Sequence, residues 1–307
     1  MGHGDEDDAG TLVVVALRAV RDRLEEYRPL ALVDEPDALH QMRTNVRRLR
    51  SILAAYGPLL DGAVATELRR RLRELGRELG TVRDLEVRVQ VAEDALARAD
   101  EAGRFATVED RVRVRGILVD DETVAHDRAH ARFAERQRMP RASARLAELD
   151  RVLAEPPLTE RARRPAAREL ARLLDREARR AAGRARRLSR DPALEDLHEL
   201  RKAARRLRYA AEAVTQPPVE LLGDAAAALA EAGDAIHDVL GDHRDELLFA
   251  EHLRRSAAHE AHAGRPAEVL RRLAEDADER AATHLGGLPD AVDDLLDTAA
   301  KWHAEVG

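Results

Sequence analysis

Two stretches of this 307-residue chain carry histidine and arginine at the same intervals. His40, Arg43, Arg47, Arg48 and Arg50, in HQMRTNVRRLR, return 158 positions later as His198, Arg201, Arg205, Arg206 and Arg208, in HELRKAARRLR. Leu49 and Leu207 also match, giving six identities in eleven positions without a gap. A guanidinium stays charged at any physiological pH and grips phosphate or carboxylate oxygens with two parallel hydrogen bonds. Histidine adds a donor whose protonation a neighbouring anion favours. The second copy has Lys202 where the first has Thr44, so the two need not bind equally.

A helix sorts these residues by face. At 100° per residue His40, Arg43, Arg47 and Arg50 fall within about 80° of one another, while Leu39, Met42, Val46, Leu49 and Leu53 make a separate apolar stripe. Leu197, Leu200, Ala204, Leu207 and Ala211 form the matching stripe behind His198, Arg201, Arg205 and Arg208. Each basic ladder is about 15 Å long at the helical rise, a length that suits a chain of phosphates better than a lone metal or carboxylate. Arg48 and Arg206 sit about 80° from their histidine and are edge contacts at best.

The surrounding composition narrows the ligand. Net charge is −7, yet the first copy contains no acid and the second only Glu199, which points to a defined polyanion site on an acidic protein. Lys202 and Lys301 are the only lysines. Aromatic residues make up 2% of the chain, too few to supply stacking platforms for bases, and no zinc finger, helix-turn-helix or basic zipper pattern appears, so no specific nucleic acid is expected. Zero cysteines exclude disulfides and thiolate metal sites. No apolar run approaches the roughly 20 residues that span a bilayer, and the acidic start, MGHGDEDDAG, is the wrong flank for a secretory signal. The reading is a soluble, cytoplasmic protein with no membrane partner, and nothing here fixes an oligomeric state.

Alanine, leucine, arginine and glutamate dominate, and Pro and Gly gather at boundaries, so nearly every segment reads as helix. Helices are expected near 11–32, 36–56, 62–100, 104–138 and 141–154, then near 160–190, 193–214, 219–263, 266–284 and 289–305. Residues 1–10 read as a disordered acidic start, 11–155 as a first half, 156–159 (Pro156-Pro157-Leu158-Thr159) as a linker and 160–307 as a second half. At the offset of 158, Arg18, Arg21 and Arg28 meet Arg176, Arg179 and Arg186, which makes these six a secondary candidate set for the same anion. At 161, Leu79, Gly80, Arg83 and Asp84 meet Leu240, Gly241, Arg244 and Asp245. Each half then reads as an up-and-down helical bundle, and the whole as an all-α duplicated pair.

The doubled His-x-x-Arg-x-x-x-Arg-Arg-Leu-Arg helix, each followed by Leu-Gly-x-x-Arg-Asp, resembles the CHAD family, the conserved histidine α-helical domain. The resemblance covers about residues 11–305. It implies two four-helix bundles related by a pseudo-twofold axis, with basic helices lining a central surface that binds inorganic polyphosphate, and an association with polyphosphate granules. Carried over by position, the binding residues are His40, Arg43, Arg47, Arg48, Arg50 and Arg83 with His198, Arg201, Lys202, Arg205, Arg206, Arg208 and Arg244. Some family members carry a triphosphate tunnel domain; this sequence lacks its Glu-x-Glu-x-Lys signature.

Other readings of the same residues stay open. The ladders can be solvated faces with ion pairs to neighbouring helices, although duplication in register argues against it. His40 or His198 can be a phospho-acceptor, as in a histidine phosphotransfer or phosphatase-like protein, which leaves the arginine ladders unexplained. A scaffold recruiting partners through acidic outer helices is a third reading. Arg83-Asp84 and Arg244-Asp245 suit either anion contact or interhelix ion pairing. His126 with His130, and His259 with His262, have spacings that fit one helix turn, but no metal is expected there without further ligands. The run Arg69-Arg70-Arg71-Leu72-Arg73 has acidic neighbours and reads as a solvated face. No nucleotide-binding glycine loop, paired carboxylate site or serine or cysteine nucleophile appears, so a binding protein with no catalytic residues and no cofactor is expected.

Overall fold

The computed structural model describes residues 7–306. Asp8 accepts the Thr11 N–H at 2.6 Å and caps α1, Ala9–Leu32. α2 (Ala38–Ala55) leads through a 3-10 turn, Gly57–Leu59, to α3 (Gly62–Glu101), whose first turn Asp61 caps by accepting the Ala63 and Val64 N–H groups at 3.0 Å. Thr107 caps α4 (Val108–Arg115), a π-turn at Gly116–Asp120 continues into α5 (Asp121–Arg138), and Pro140 opens α6, Pro140–Ala154. A second 3-10 turn, Glu160–Arg163, precedes α7 (Ala166–Ala185), α8 (Leu194–Thr215), α9 (Asp224–His262), α10 (Glu268–Leu285) and α11 (Leu288–Val306). Among the described residues extended structure is limited to two isolated bridges, Asp8 with Pro165 and Leu60 with Leu158. The fold is all-helical, and no helix is long and apolar enough to cross a membrane.

Three expectations need correction. Residues 7–10 of the expected disordered start are ordered: Ala166 N–H bonds the Asp7 carbonyl, Ala9 N–H bonds the Arg164 carbonyl, and α1 begins at Ala9. Residues 1–6 lie outside the described residues. The helix expected from 160 begins at Ala166, because Pro165 forces Arg164 into the extended region (φ −75°, ψ 155°). The single helix expected over 104–138 starts at Val108 and carries the π-turn at Gly116. The Pro156-Pro157 connection is tied down: Asp61 N–H bonds the Pro157 carbonyl at 2.8 Å and Thr159 N–H the Leu59 carbonyl at 3.0 Å.

The chain forms two compact units, each drawing on both sides of that connection. One holds residues up to Leu79, 136–238 and 288 onward; the other holds 80–135 and 239–287. The long helices α3 and α9 each contribute to both.

In the first unit α1 packs on α2, α7 on α8, α11 on α7, and α2 directly on α8. Leu39, Met42, Val46, Leu49 and Leu53 are 0–3% exposed, and Leu200, Ala204, Leu207 and Ala211 are fully enclosed. Each large aliphatic side chain buried this way stabilises by roughly 1.5–3 kcal/mol, so rotating α2 or α8 to hide the arginines costs several such contacts. Tyr56, fully buried, fixes the crossing by donating its hydroxyl to the Ala210 carbonyl at 2.8 Å. Gly233 of α9 lies so close to α8 that a Cβ would stand 2.8 Å from the Ala204 carbonyl oxygen and 3.1 Å from Arg208 N. Gly76 of α3 sits against Val46 and Arg50 of α2, the counterparts of Ala204 and Arg208 in the repeated word. The second unit has its own core, in which Val114, Leu118, Phe249, Leu253, Leu270 and Leu273 are nearly or fully enclosed.

Candidate functional site

Locked in rotation by their apolar stripes, α2 and α8 bring the later parts of their ladders together on one wall of a cavity of about 610 Å³. Arg47 and Arg50 come from α2, and Lys202, Arg205 and Arg206 from α8. Four further arginines complete the lining: Arg69 and Arg73 from α3, Arg180 and Arg184 from α7. Nine cationic side chains therefore face a single carboxylate, Glu199, which bridges Lys202 and Arg184.

Crowding of like charge is visible in the acidity of these groups. Burial, then the charges of Arg43, Arg205 and Arg201, push Arg47 down to about 9. Burial and the same neighbourhood push Arg205 down to about 10, with Arg201 and Arg50 adding to it. Arg50 is lowered by burial and by Arg73, Arg69 and Arg77. Arg47 and Arg205 remain cationic at neutral pH, in a setting that bound anions would relieve. Burial, then the charges of Arg201, Arg205, Arg47 and Arg208, push His237 of α9 down to about 3.

The two ladders end differently. Arg208, the counterpart of Arg50, is held by Glu212 at 2.7 Å and by Asp234, so its acidity shifts the opposite way. Arg48 reaches Glu212 at 3.2 Å and Arg206 reaches the buried Glu177 at 2.6 Å. Arg48 and Arg208 also stand over the Tyr209 ring at 5.5 and 5.4 Å. His40, Arg43 and Arg201 are half-buried and His198 is exposed; none is among the lining residues, and Arg201 donates Nε to the His237 carbonyl at 3.4 Å.

A family model described as the CHAD domain matches residues 15–254. The chain belongs to the CHAD family. Two curated relatives, the uncharacterized proteins MT2285 and Rv2226 of two Mycobacterium tuberculosis strains, are 32% identical to it over 254 residues, 77% of this chain. The chain spans 44% of their length, less than half. Among solved structures it resembles PptA from Streptomyces chartreusis, with TM-score 0.69, 24% identity, and 96% of this chain and 100% of that one covered. It also resembles the CHAD domain from the plant Ricinus communis, with TM-score 0.69, 22% identity, and 98% and 94% covered. Both likenesses show the CHAD fold.

Most of the remaining candidates have local partners. Arg18 donates to the Leu153 carbonyl, Arg21 grips Asp150 with two hydrogen bonds at 2.5 and 2.8 Å, and Arg28 pairs with Glu25. Arg176 donates to the Ala55 carbonyl and Arg179 pairs with Asp175; Arg186 is exposed at the end of α7. Arg83 and Arg244 belong to the second unit, where Arg83 pairs with Glu86 at 2.8 Å and Arg244 lies 3.8 Å from Asp245. His126 and His130 stack with ring centroids 6.2 Å apart. Sequence reasoning read Arg69 and Arg73 as part of a solvated face and passed over Arg180 and Arg184. The signal was their four-residue spacing, which puts each pair on one helix face.

Proposed function

We propose that this chain binds inorganic polyphosphate in the arginine-lined cavity between α2, α3, α7 and α8 and performs no catalysis there. The observation that carries the reading is nine cations lining one cavity of about 610 Å³ with a single carboxylate among the lining residues, Arg47 and Arg205 being acidified by burial and then by neighbouring arginines. Arg180 and Arg206 share the buried Glu177, and Arg184 and Lys202 share Glu199, so the cations still outnumber the acids and are costly to hold together unless an anion joins them. A linear phosphate polymer offers oxygen atoms at short, regular intervals and no base to stack, which agrees with the near absence of aromatic side chains. Membership of the CHAD family and the likeness to PptA agree with it. The fold is read as a duplicated pair of helical bundles whose two histidine helices meet at α2 and α8. Association with polyphosphate granules in the cytoplasm follows as part of this proposal.

The test is titration with polyphosphates of graded length beside single-stranded nucleic acid at matched charge. Affinity should climb from orthophosphate and pyrophosphate to longer chains as more arginines are engaged at once, and nucleic acid should bind more weakly. Equal affinity for pyrophosphate and a long chain would overturn the multi-contact site.

A further inference from the structure

At two positions the repeated word changes its chemistry without changing its net charge. Where the first copy has the neutral residues Gln41 and Thr44, the second has Glu199 and Lys202. Three residues apart on α8, Glu199 and Lys202 share a face and form an ion pair. Glu199 also reaches Arg184, in the last turn of α7, at 3.5 Å, and all three side chains line the cavity. One carboxylate thus occupies two of the lining cations before any ligand arrives.

The cavity's other paired cations are held differently. Arg180 and Arg206 share Glu177, which is 1% exposed and also pairs with Arg176, so its carboxylate cannot leave without stranding buried charge. Glu199 is 27% exposed and lies between Lys202 and Arg184, at 44% and 42%, where water can replace either partner. Arg47, Arg50 and Arg205 of the same lining are crowded by other arginines instead, so a small phosphate meets its least masked cations there.

We propose that Glu199 is an internal competitor of the polyanion: it masks Lys202 and Arg184 until a phosphate chain, already anchored on Arg47, Arg50 and Arg205, extends onto them and displaces the carboxylate into solvent. This rests on the polyphosphate reading above and deepens it, because it names the residue that limits how much of the cavity a ligand engages. The exchange replaces one anion by another on the same two cations, and no covalent bond changes. An isolated small phosphate gains little from such a swap. An anchored polymer presents its next phosphates at high effective concentration and displaces the carboxylate. Glu199→Gln writes into the second copy the residue type of the first, removing the competing charge at nearly constant size.

The experiment is titration of the intact chain, as wild type, Glu199→Gln and Glu195→Gln, with medium-chain inorganic polyphosphate and with pyrophosphate, over a range of salt. Glu195 stands one turn earlier on α8, exposed and outside the lining, so its variant makes the same charge change without touching the masked cations. Glu199→Gln should tighten the polymer about fivefold or more and pyrophosphate less than about twofold, and should steepen the polymer's salt slope by about 0.7, one further phosphate neutralised. Glu195→Gln should change either ligand less than about twofold, its charge being screened by solvent. A readout in the wild-type sequence comes from Lys202 and Lys301 being the only lysines. After reductive methylation with isotope-labelled formaldehyde, the Lys202 signal should move on adding the polymer and stay with pyrophosphate, while that of the exposed Lys301 moves with neither. A Lys202 signal that the polymer leaves in place or that pyrophosphate moves equally, a Glu199→Gln protein of wild-type helicity that binds the polymer no tighter, or an equal gain in Glu195→Gln overturns the proposal. A wild type that binds no polymer overturns the polyphosphate reading itself, and this one with it.

Discussion

Arg50 and Arg208 occupy the same place in the repeated word and live in opposite fields. Arg50 faces Arg69, Arg73 and Arg77 beside the cavity, whereas Arg208 is already gripped by Glu212 and Asp234. An arginine that must surrender internal carboxylates before meeting a ligand gains little from it. Arg50→Ala is therefore expected to weaken polyphosphate binding about tenfold or more, the scale of one lost charge-assisted hydrogen bond, and Arg208→Ala less than about threefold, measured by anisotropy at fixed salt. Equal losses would show that the Asp234 pair opens freely. The sequence made both residues visible as ladder members, but not this difference, because Asp234 stands far along the chain and reaches Arg208 only where α9 crosses α8.

At the level of the helices, the apolar stripes of α2 and α8 were legible down to individual residues, since burial follows helical period directly. The cavity's second wall was not. Arg69 and Arg73 were read with their acidic neighbours as solvated, yet Glu67 and Glu74 lie about 140–160° around the helix from Arg69. They pair instead with Arg70 and Arg71 on the other face. Chain adjacency stood in for facial adjacency. The Gly233 crossing was equally hidden, because only the packed structure shows what a side chain there would strike. Gly233→Ala should push α9 off the Ala204 carbonyl and cost about 1–3 kcal/mol of stability, read as a lower midpoint in urea. Retention of wild-type stability would mean that α9 can shift without strain.

Across the whole molecule, an acidic chain concentrates unbalanced positive charge in one place, and this sets how it should respond to salt. With about eight phosphates neutralised, log affinity should fall against log salt with a slope near −5 to −6, by analogy with single-stranded polyanions. Arg50→Ala should flatten it by about 0.7. A slope near zero would place the arginines away from the ligand. The acid-poor basic ladders and the paucity of aromatics were enough to suggest a polyanion; the four-helix origin of the cavity needed the fold.

The closure of the first unit by α11 bears on how the protein is made. Synthesis runs from α1 onward, and every wall of the cavity has been produced once α8 emerges. Leu288, Leu295, Ala299 and Trp302 of α11, which pack that unit from the side of α7, arrive only after the whole intervening stretch of the second unit. During translation the nascent chain thus carries a positively charged, nearly finished cavity on a body whose apolar flank is still bare. A chain halted before residue 288 leaves that apolar surface exposed, the kind of flank that chaperones shield.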